Sequence, residues 1–228
     1  MEMVPKIPPS SYRSSNLTCL SHIGSTVKAI KSKLTPRQLS MFRKTIFGHL
    51  LDVELVLNGP LLHNLLLREL ENSRADVITM DVLGNRVSFG FSEFCLITGL
   101  KDSRRPIRKD TSPKRLRKLY FDDKVDILLS EFEARYMVMQ FEDDIDAVKI
   151  SMLLFVELVL FGKDRTLKLD NSLLGVVDDL EVCCNYDWAE MSFEKTIKSL
   201  KRVLTKKGRD ERLRKTYSLF GDTKQYPV

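Results

Sequence analysis

The chain contains few of the side chains on which enzyme chemistry usually depends. Among its 228 residues are three histidines, four cysteines and one tryptophan. A cysteine nucleophile needs a positioned imidazole base and a group that orients that base. The three imidazoles, His22, His49 and His63, all lie in the first third of the chain, in segments where packing or capping is the usual role of a histidine. The sequence therefore predicts no catalytic site.

Phosphate-binding loops and metal-ligand spacings are missing as well. The chain has neither Gly-x-Gly-x-x-Gly nor Gly-Lys-Ser/Thr, the glycine patterns that cradle phosphates. The vicinal pair Cys183 and Cys184 has no second pair of ligands at a zinc spacing. Asp178 and Asp179 would point about 100° apart on a helix and could not converge, which favours a solvated acidic face. We expect no cofactor and no metal, and we predict that the chain is not an enzyme.

Long apolar runs are also lacking. The most apolar stretch, Met152–Phe161, contains Glu157 and is shorter than the ~20 residues that a membrane-spanning helix needs. No apolar run follows a basic start at the N-terminus, so no signal peptide is expected. The cysteines have no disulfide-framework spacing, which favours reduced thiols. These absences predict a soluble protein of the nucleus or cytosol, without a membrane partner.

The chain does have an excess of basic residues, which is concentrated in one segment. The formal net charge of +6 is a mild indication of an anionic partner. Residues 101–118 combine many cations with two prolines, which predicts an exposed loop that enters a helix at its end. Two basic clusters in this segment have the spacing of a bipartite nuclear import signal, and their cations could instead bind phosphates. No aromatic side chains alternate with the cations to stack on single-stranded bases. The candidate import or anion-binding patch comprises Arg104, Arg105, Lys114, Arg115, Arg117 and Lys118.

The apolar periodicity predicts an α+β fold that is predominantly α-helical. We expect a single mainly helical domain over residues 25–219, with one β-hairpin over 76–90 packed on the helices. Residues 1–24 are rich in proline and serine and are predicted to form a flexible tail. Residues 220–228 are predicted to form a second tail.

Turn and capping residues predict where the elements begin and end. Gly84-Asn85 has the Gly-first order of a type II′ hairpin turn. Thr35 and Gln38 predict a capping box at the start of one helix, and Asn58-Gly59-Pro60 predicts the start of another. Further helices are predicted over Asp126–Met139, Glu142–Phe161, Asp170–Glu181 and Ser192–Thr205.

Three residues are predicted to be structural anchors: Gly99, Trp188 and Ser192. Gly99 would supply the left-handed residue that ends a short helix, which is capped by Ser92 and buries an apolar face that includes Ile97. Trp188 lies at a joint between two predicted helices, where a large aromatic side chain is usually buried. Ser192 is the predicted N-cap of the last helix.

Four blocks of the sequence resemble one protein family. They are Phe47–Leu51, Leu61–Leu70, Glu93–Leu100 and Val177–Leu200, and they occur in the family's order. Together they make the chain similar to a plant family of domains of unknown function, DUF1985, over Ser25–Leu219. The resemblance implies a place N-terminal to a Ulp-type, SUMO-protease-like cysteine peptidase domain in proteins derived from Mutator-like transposons. It implies no catalytic or binding residues for this chain.

A Ulp-type peptidase domain would add a long segment containing His, Asp, Gln and Cys. The chain ends at Val228 and has no histidine after His63. We therefore expect the accessory module without the peptidase: a non-catalytic interaction or scaffold module, nuclear, with an unidentified protein partner. One alternative is a nucleic-acid-binding module of a transposon-derived protein. The second alternative is a fragment that carries a peptidase assignment through family inheritance.

Overall fold

A computed structural model describes residues 3–14, 16–19, 22–54, 57–71, 74–102, 114–204 and 216–219. The fold is α+β and predominantly helical, as predicted. Its strands and helices are β1 (Asn16–Cys19), α1 (Ile23–Lys33), α2 (Pro36–Arg43), α3 (Gly59–Leu67), β2 (Ile78–Val82), β3 (Asn85–Phe89), α4 (Phe91–Thr98), α5 (Lys114–Phe121), α6 (Leu129–Val138), α7 (Asp144–Phe155), α8 (Asn171–Asp178), α9 (Leu180–Cys184), α10 (Trp188–Leu204) and β4 (Thr216–Leu219). A π-helical turn over Val156–Leu160 continues α7.

Contacts within the chain group into two compact units, whereas the sequence predicted a single domain over residues 25–219. Unit 1 is drawn from Met1–Leu20, Leu55–Asp102 and Trp188–Phe220. Unit 2 is drawn mainly from Ser21–Glu54 and Ser103–Asp187. The chain thus leaves unit 1 and returns to it twice, an arrangement that local periodicity cannot reveal.

The N-terminal residues of unit 1 extend its sheet. The Lys6 backbone N–H donates to the Glu69 carbonyl oxygen at 2.8 Å, and Lys6 Nζ contacts the buried Glu69 carboxylate at 2.7 Å. Ile7 is buried nearby in sequence. Part of the segment predicted as a tail over 1–24 is therefore held by a contact between residues 63 positions apart in the chain, while the tail as a whole stays a prediction.

A second strand pair in unit 1 was also missed by the sequence prediction. β1 pairs in parallel with β4, so the two ends of unit 1 meet. The helix α3 packs against β1, and Asn58 caps it by accepting a hydrogen bond from the Leu61 N–H at 3.0 Å, as predicted. Gly59 is required there because a Cβ atom would collide with the Leu17 carbonyl oxygen.

The predicted β-hairpin is present, with a different turn. β2 and β3 are antiparallel, and Val82 pairs with Asn85, which leaves Leu83 and Gly84 as the two turn residues. Both have positive φ, +54° and +80°, which defines a type I′ turn in place of the predicted type II′ turn at Gly84-Asn85. Asp81 Oδ1 holds the turn by accepting the Gly84 N–H at 2.8 Å.

Aromatic side chains hold α4 and β3 against α10 in unit 1. The ring of Phe193, on α10, lies 6.3, 5.5 and 5.6 Å from the rings of Phe89, Phe91 and Phe94, measured between centroids. Tilted and edge-to-face aromatic pairs at these separations add to the free energy gained by burying the rings. We call these four residues the Phe193 cluster.

Unit 2 is built around α7, which is buried on all sides from Asp146 to Phe155. The helices α1, α2 and α8 pack against it. The predicted capping box of α2 is confirmed, because Thr35 and Gln38 exchange hydrogen bonds at 3.0 and 3.3 Å. The predicted helix Asp170–Glu181 is wrong in its length, since Asp179 adopts an extended conformation and separates α8 from α9.

Candidate functional site

The predicted basic patch lies partly outside the described residues. Arg104 and Arg105 fall in residues 103–113, which the structure does not describe. Lys114 begins α5, as the predicted loop-to-helix change requires. The side chains of Arg115 and Arg117 are described and make ion pairs, and Lys118 is exposed.

Arg115 is the centre of a charged cluster in unit 2. Its Nη1 donates to Asp146 Oδ2 at 2.9 Å, and its Nε donates to Asp178 Oδ1 at 3.0 Å. Lys149 Nζ donates to the same Asp178 oxygen at 2.9 Å. The Tyr120 hydroxyl donates to Asp146 Oδ2 at 2.8 Å. Two cations therefore balance two anions, and the cluster joins α5, α7 and α8.

We call these five residues the Arg115 cluster, and its electrostatics indicate a structural role. The hydrogen bonds that Arg115 donates to Asp146 and Asp178 raise the pKa of Arg115. Burial raises the pKa of Tyr120 to about 12, with Asp146 adding to the shift. Burial acts to raise the pKa of Asp178, but Arg115 and Lys149 outweigh it and lower that pKa below its ordinary value. Buried carboxylates need such compensation, because an unpaired buried charge is costly.

This pairing bears on one assumption behind the predicted patch, that Arg115 and Arg117 are exposed and available to an anionic partner. The Arg115 side chain is 44% exposed but spans two aspartates, and the Arg117 side chain is 18% exposed, with Nε 2.8 Å from Asp123 Oδ1. The sequence could not show this, because Asp146 and Asp178 lie 31 and 63 residues from Arg115. Import or anion binding by the whole patch stays a prediction.

The prediction for Gly99 is confirmed in its geometry. Gly99 has φ +69°, in the left-handed region, and its N–H donates to the Cys95 carbonyl oxygen at 2.9 Å. The helix it ends, α4, differs from the prediction at its start, which follows Gly90 and not Ser92. Glu93 closes that start by accepting the N–H of the N-cap residue Gly90 at 2.8 Å, which is the N3 half of a capping box.

Trp188 is 2% exposed, which agrees with its predicted burial. The predicted role of Ser192 is wrong. The last helix begins at Trp188, so Ser192 lies inside it, and its hydroxyl donates to the Trp188 carbonyl oxygen at 2.5 Å. A serine that bonds back to the residue four positions earlier continues a helix, whereas an N-cap serine bonds forward. A serine hydroxyl can make either hydrogen bond, and the sequence pattern alone favoured the N-cap position.

Two histidines and one cysteine have contacts or pKa shifts that bear on catalysis. His63 Nε2 lies 2.7 Å from the Arg13 carbonyl oxygen, and His22 Nδ1 lies 2.8 Å from Arg165 Nη1. Burial and the Arg165 charge lower the pKa of His22. Burial raises the pKa of the Cys95 thiol, with Asp102 adding to the shift, which disfavours the thiolate. Within the described residues, no group of three or more His, Cys, Asp or Glu is placed to hold a metal ion, and no helix is long and apolar enough to cross a membrane.

Two exposed apolar side chains on α4 were not predicted. Leu96 and Ile97 are 85% and 74% exposed, although Ile97 was expected to face the core. Phe94, on the same helix, is buried in the Phe193 cluster. The helix is uniformly apolar from Phe94 to Ile97, so its sequence could not show which side faces solvent. We call Leu96 and Ile97 the α4 apolar face.

These features define a predominantly helical α+β protein whose charged cluster serves to join helices. The family model described as "Domain of unknown function (DUF1985)" matches residues 66–199, which is more than half of the chain. The chain therefore belongs to the DUF1985 family, as the sequence blocks indicated. No curated protein and no solved structure matches it.

Proposed function

We propose that this chain is a non-catalytic module that binds another protein through the α4 apolar face. The observation that carries this proposal is the exposure of Leu96 and Ile97, side by side on one short helix. Single exposed apolar residues are common on protein surfaces, and adjacent ones with most of their surface in water are typical of interaction sites. Burying a leucine or isoleucine side chain contributes roughly 1.5–3 kcal/mol.

The surroundings of the α4 apolar face support such a role. Phe94 fixes α4 to Phe193, and Gly99 fixes the end of the helix. The two apolar side chains are thus presented by an ordered backbone, which reduces the entropy lost on binding. The partner suited to this face is a protein with an apolar groove.

The nucleic-acid alternative has weaker support. It depends on cations that can neutralise phosphates. Arg115 and Arg117 already pair with aspartates. Releasing Arg115 would leave the buried carboxylate of Asp146 without its cation, which is unfavourable. Among the cations of the patch whose side chains the structure describes, this leaves Lys118, which is exposed on the same helix, and one lysine contributes little phosphate affinity.

The biological setting of the proposal comes from the family resemblance. We propose a nuclear protein of plant transposon origin, associated with a Ulp-type SUMO protease and without peptidase activity in this chain. The low thiolate character expected for Cys95 is compatible with that last point.

Affinity purification from plant nuclei with quantitative mass spectrometry tests the binding proposal. The bait is the full chain, compared with the double variant Leu96→Glu/Ile97→Glu and with Leu61→Glu as the matched control. Leu61 is also exposed and lies in the same unit, on α3. Proteins retained by the wild type and by Leu61→Glu, but lost from the double variant, are the expected result. Equal recovery by all three baits would contradict the proposal.

Two further measurements separate the alternatives. Binding to duplex DNA at two salt concentrations would show a steep loss of affinity with salt if phosphates are the target, and we expect no such binding. A SUMO-vinyl-sulfone probe would label a Ulp-type thiolate. Labelling that disappears on changing His49 or His63 would contradict the proposal that the chain is non-catalytic.

A further inference from the structure

The outer strand of the hairpin, β3, is exposed along its length in unit 1. Residues 68–71 lie on one side of β2, where the Leu70 N–H donates to the Thr79 carbonyl oxygen at 2.8 Å. Residues 4–6 lie beyond them, where the Glu71 N–H donates to the Val4 carbonyl oxygen at 2.8 Å. β3 lies on the other side of β2 and has no further neighbour in its sheet among the described strands. Val87, at the centre of β3, is exposed.

The register of the hairpin shows which β3 backbone groups point outward. In an antiparallel pair, every second residue turns its N–H and C=O away from the other strand. The Thr79 carbonyl bonds to the Leu70 N–H, away from β3, so Thr79 belongs to the outward set of β2. Ser88 is opposite Thr79 and therefore turns its N–H and C=O away from β2. This edge can accept another strand.

We propose that two copies of this chain pair through β3, antiparallel about a twofold axis at Val87. A twofold interface uses the same surface on both copies, and an antiparallel pair of identical strands meets this condition. The sheet would then continue from one copy into the other. This contact is separate from the α4 apolar face, so it does not depend on the function proposed above.

The side chains of β3 are compatible with this register. With Val87 on the axis, Ser88 of one copy lies opposite Arg86 of the second copy, and the two valines face each other in a pair without direct hydrogen bonds. Such pairs bring side chains closest, which suits two valines. Shifting the axis to residue 86 would place Arg86 of one copy opposite Arg86 of the second copy, and like charges directly opposite are destabilising.

The same register gives a role to the hairpin tip. Leu83 is 95% exposed, the largest exposure among the apolar side chains that the structure describes. In the proposed dimer Leu83 of one copy lies level with Phe91 of the second copy, where α4 begins. An apolar side chain at the tip would then be covered by the other copy.

The first test removes one outward N–H from β3. Ser88→Pro deletes a donor that β2 does not use, since proline has no N–H and is tolerated on edge strands. Ser88→Ala is the matched control: it loses the same hydroxyl contact to Thr79, 3.1 Å long, and keeps the N–H. Analytical ultracentrifugation of the full chains should show a concentration-dependent dimer for the wild type and Ser88→Ala, and a monomer for Ser88→Pro.

The second test places a thiol on the axis. In a pair without direct hydrogen bonds the facing Cα atoms are about 4.5 Å apart, within the range that a disulfide spans. Val87→Cys should form a disulfide-linked dimer on mild oxidation, seen on a non-reducing gel, with the wild type and its native thiols as control. Asn85→Cys should cross-link much less, because the register separates the two Asn85 residues.

The outcomes decide the proposal in either direction. A wild-type chain that is monomeric at all concentrations, or a Ser88→Pro variant that dimerises like the wild type, would overturn it. If circular dichroism shows that Ser88→Pro is unfolded, the Val87→Cys cross-link decides, and its absence would refute the β3 contact.

Discussion

The two units join their helices by different physical means. In unit 1 the Phe193 cluster ties α4 and β3 to α10 through four aromatic rings. In unit 2 the Arg115 cluster ties α5 to α7 and α8 through two carboxylates. The first contact gains free energy from removing apolar surface from water, and the second depends on pairing the buried carboxylate of Asp146 and the largely buried carboxylate of Asp178 with cations.

This difference has consequences for what each cluster tolerates. An aromatic contact loses free energy in proportion to the surface removed, and it is insensitive to pH. The Arg115 cluster depends on its cations, because removing one of them leaves a buried carboxylate less well compensated. The two clusters should therefore respond differently to single substitutions and to acid.

The largest effect is expected at Asp146. Asp146→Ala removes the buried carboxylate that accepts hydrogen bonds from Arg115 and Tyr120, and leaves both donors without it. The free energy of unfolding should fall by about 3–4 kcal/mol, the lower part of the range for a broken buried pair, because Arg115 is 44% exposed and keeps Asp178 as a partner. Urea denaturation followed by circular dichroism measures the change. Asp146→Asn is the control, since it keeps an acceptor oxygen and removes the charge; an equal loss in both variants would identify the charge as the main contribution.

A somewhat smaller loss is expected at Phe193. Phe193→Ala removes the ring shared by three aromatic contacts and leaves a cavity in unit 1. The cost should be about 3 kcal/mol, the lower end for a truncated phenylalanine, because the side chain is not completely buried. The same denaturation at pH 7 and at mildly acidic pH should give the same loss. A loss that changes with pH would contradict the purely apolar account of this cluster.

Acid sharpens the comparison between the clusters. The folded-state pKa of Asp178 lies below its ordinary value, so its carboxylate stabilises the fold above the unfolded-state pKa. That contribution is lost as the pH falls through the folded-state pKa, in the region below about pH 4. Thermal unfolding across this range should show a steeper acid limb for the wild type than for Asp178→Asn. If stability falls equally with acid in the wild type and in Asp178→Asn, the Asp178 carboxylate gains no stabilisation from Arg115 and Lys149.

The two clusters also differ in how far the sequence could predict them. Phe193 falls within the helix predicted over Ser192–Thr205, and apolar residues at helical spacing carry the information for burial locally. Arg115 was placed in an exposed basic patch, because its aspartate partners lie 31 and 63 residues away and only the fold brings them close. Lys6 and Glu69 were missed for the same reason.

Caps and helix ends also divide into those that neighbouring residues predict and those that they do not. The caps of α2 and α3 and the left-handed Gly99 followed from neighbouring residues, and the structure confirms them. Ser192 was misplaced because its hydroxyl can bond forward or back along the chain. The exposed side of α4 could not be predicted, since the position of Phe193 decides it.

A more modest effect is expected at Gly99, which ends the helix that the Phe193 cluster holds. Its φ of +69° lies in the region where a Cβ atom is unfavourable. Gly99→Ala should lower the free energy of unfolding by about 1 kcal/mol, and Gly99→Val by more. Melting temperatures of the two variants measure this order. Unchanged melting in both would show that the left-handed conformation is not required.

The smallest effect, and the one of opposite sign, is expected at Leu83. A leucine at φ +54° pays for a left-handed conformation that asparagine adopts more readily, and its side chain lies in water. Leu83→Asn should therefore raise the free energy of unfolding by about 0.5–1 kcal/mol when the chain is dilute enough to be monomeric. Leu83→Ala is the matched control, because it shortens the exposed side chain and keeps the unfavourable φ. A gain in Leu83→Ala equal to that in Leu83→Asn would assign the cost to apolar exposure and contradict the backbone argument. A gain confined to Leu83→Asn would show that this turn keeps a leucine although asparagine would make the fold more stable. That is expected where the side chain contacts a second copy of the chain.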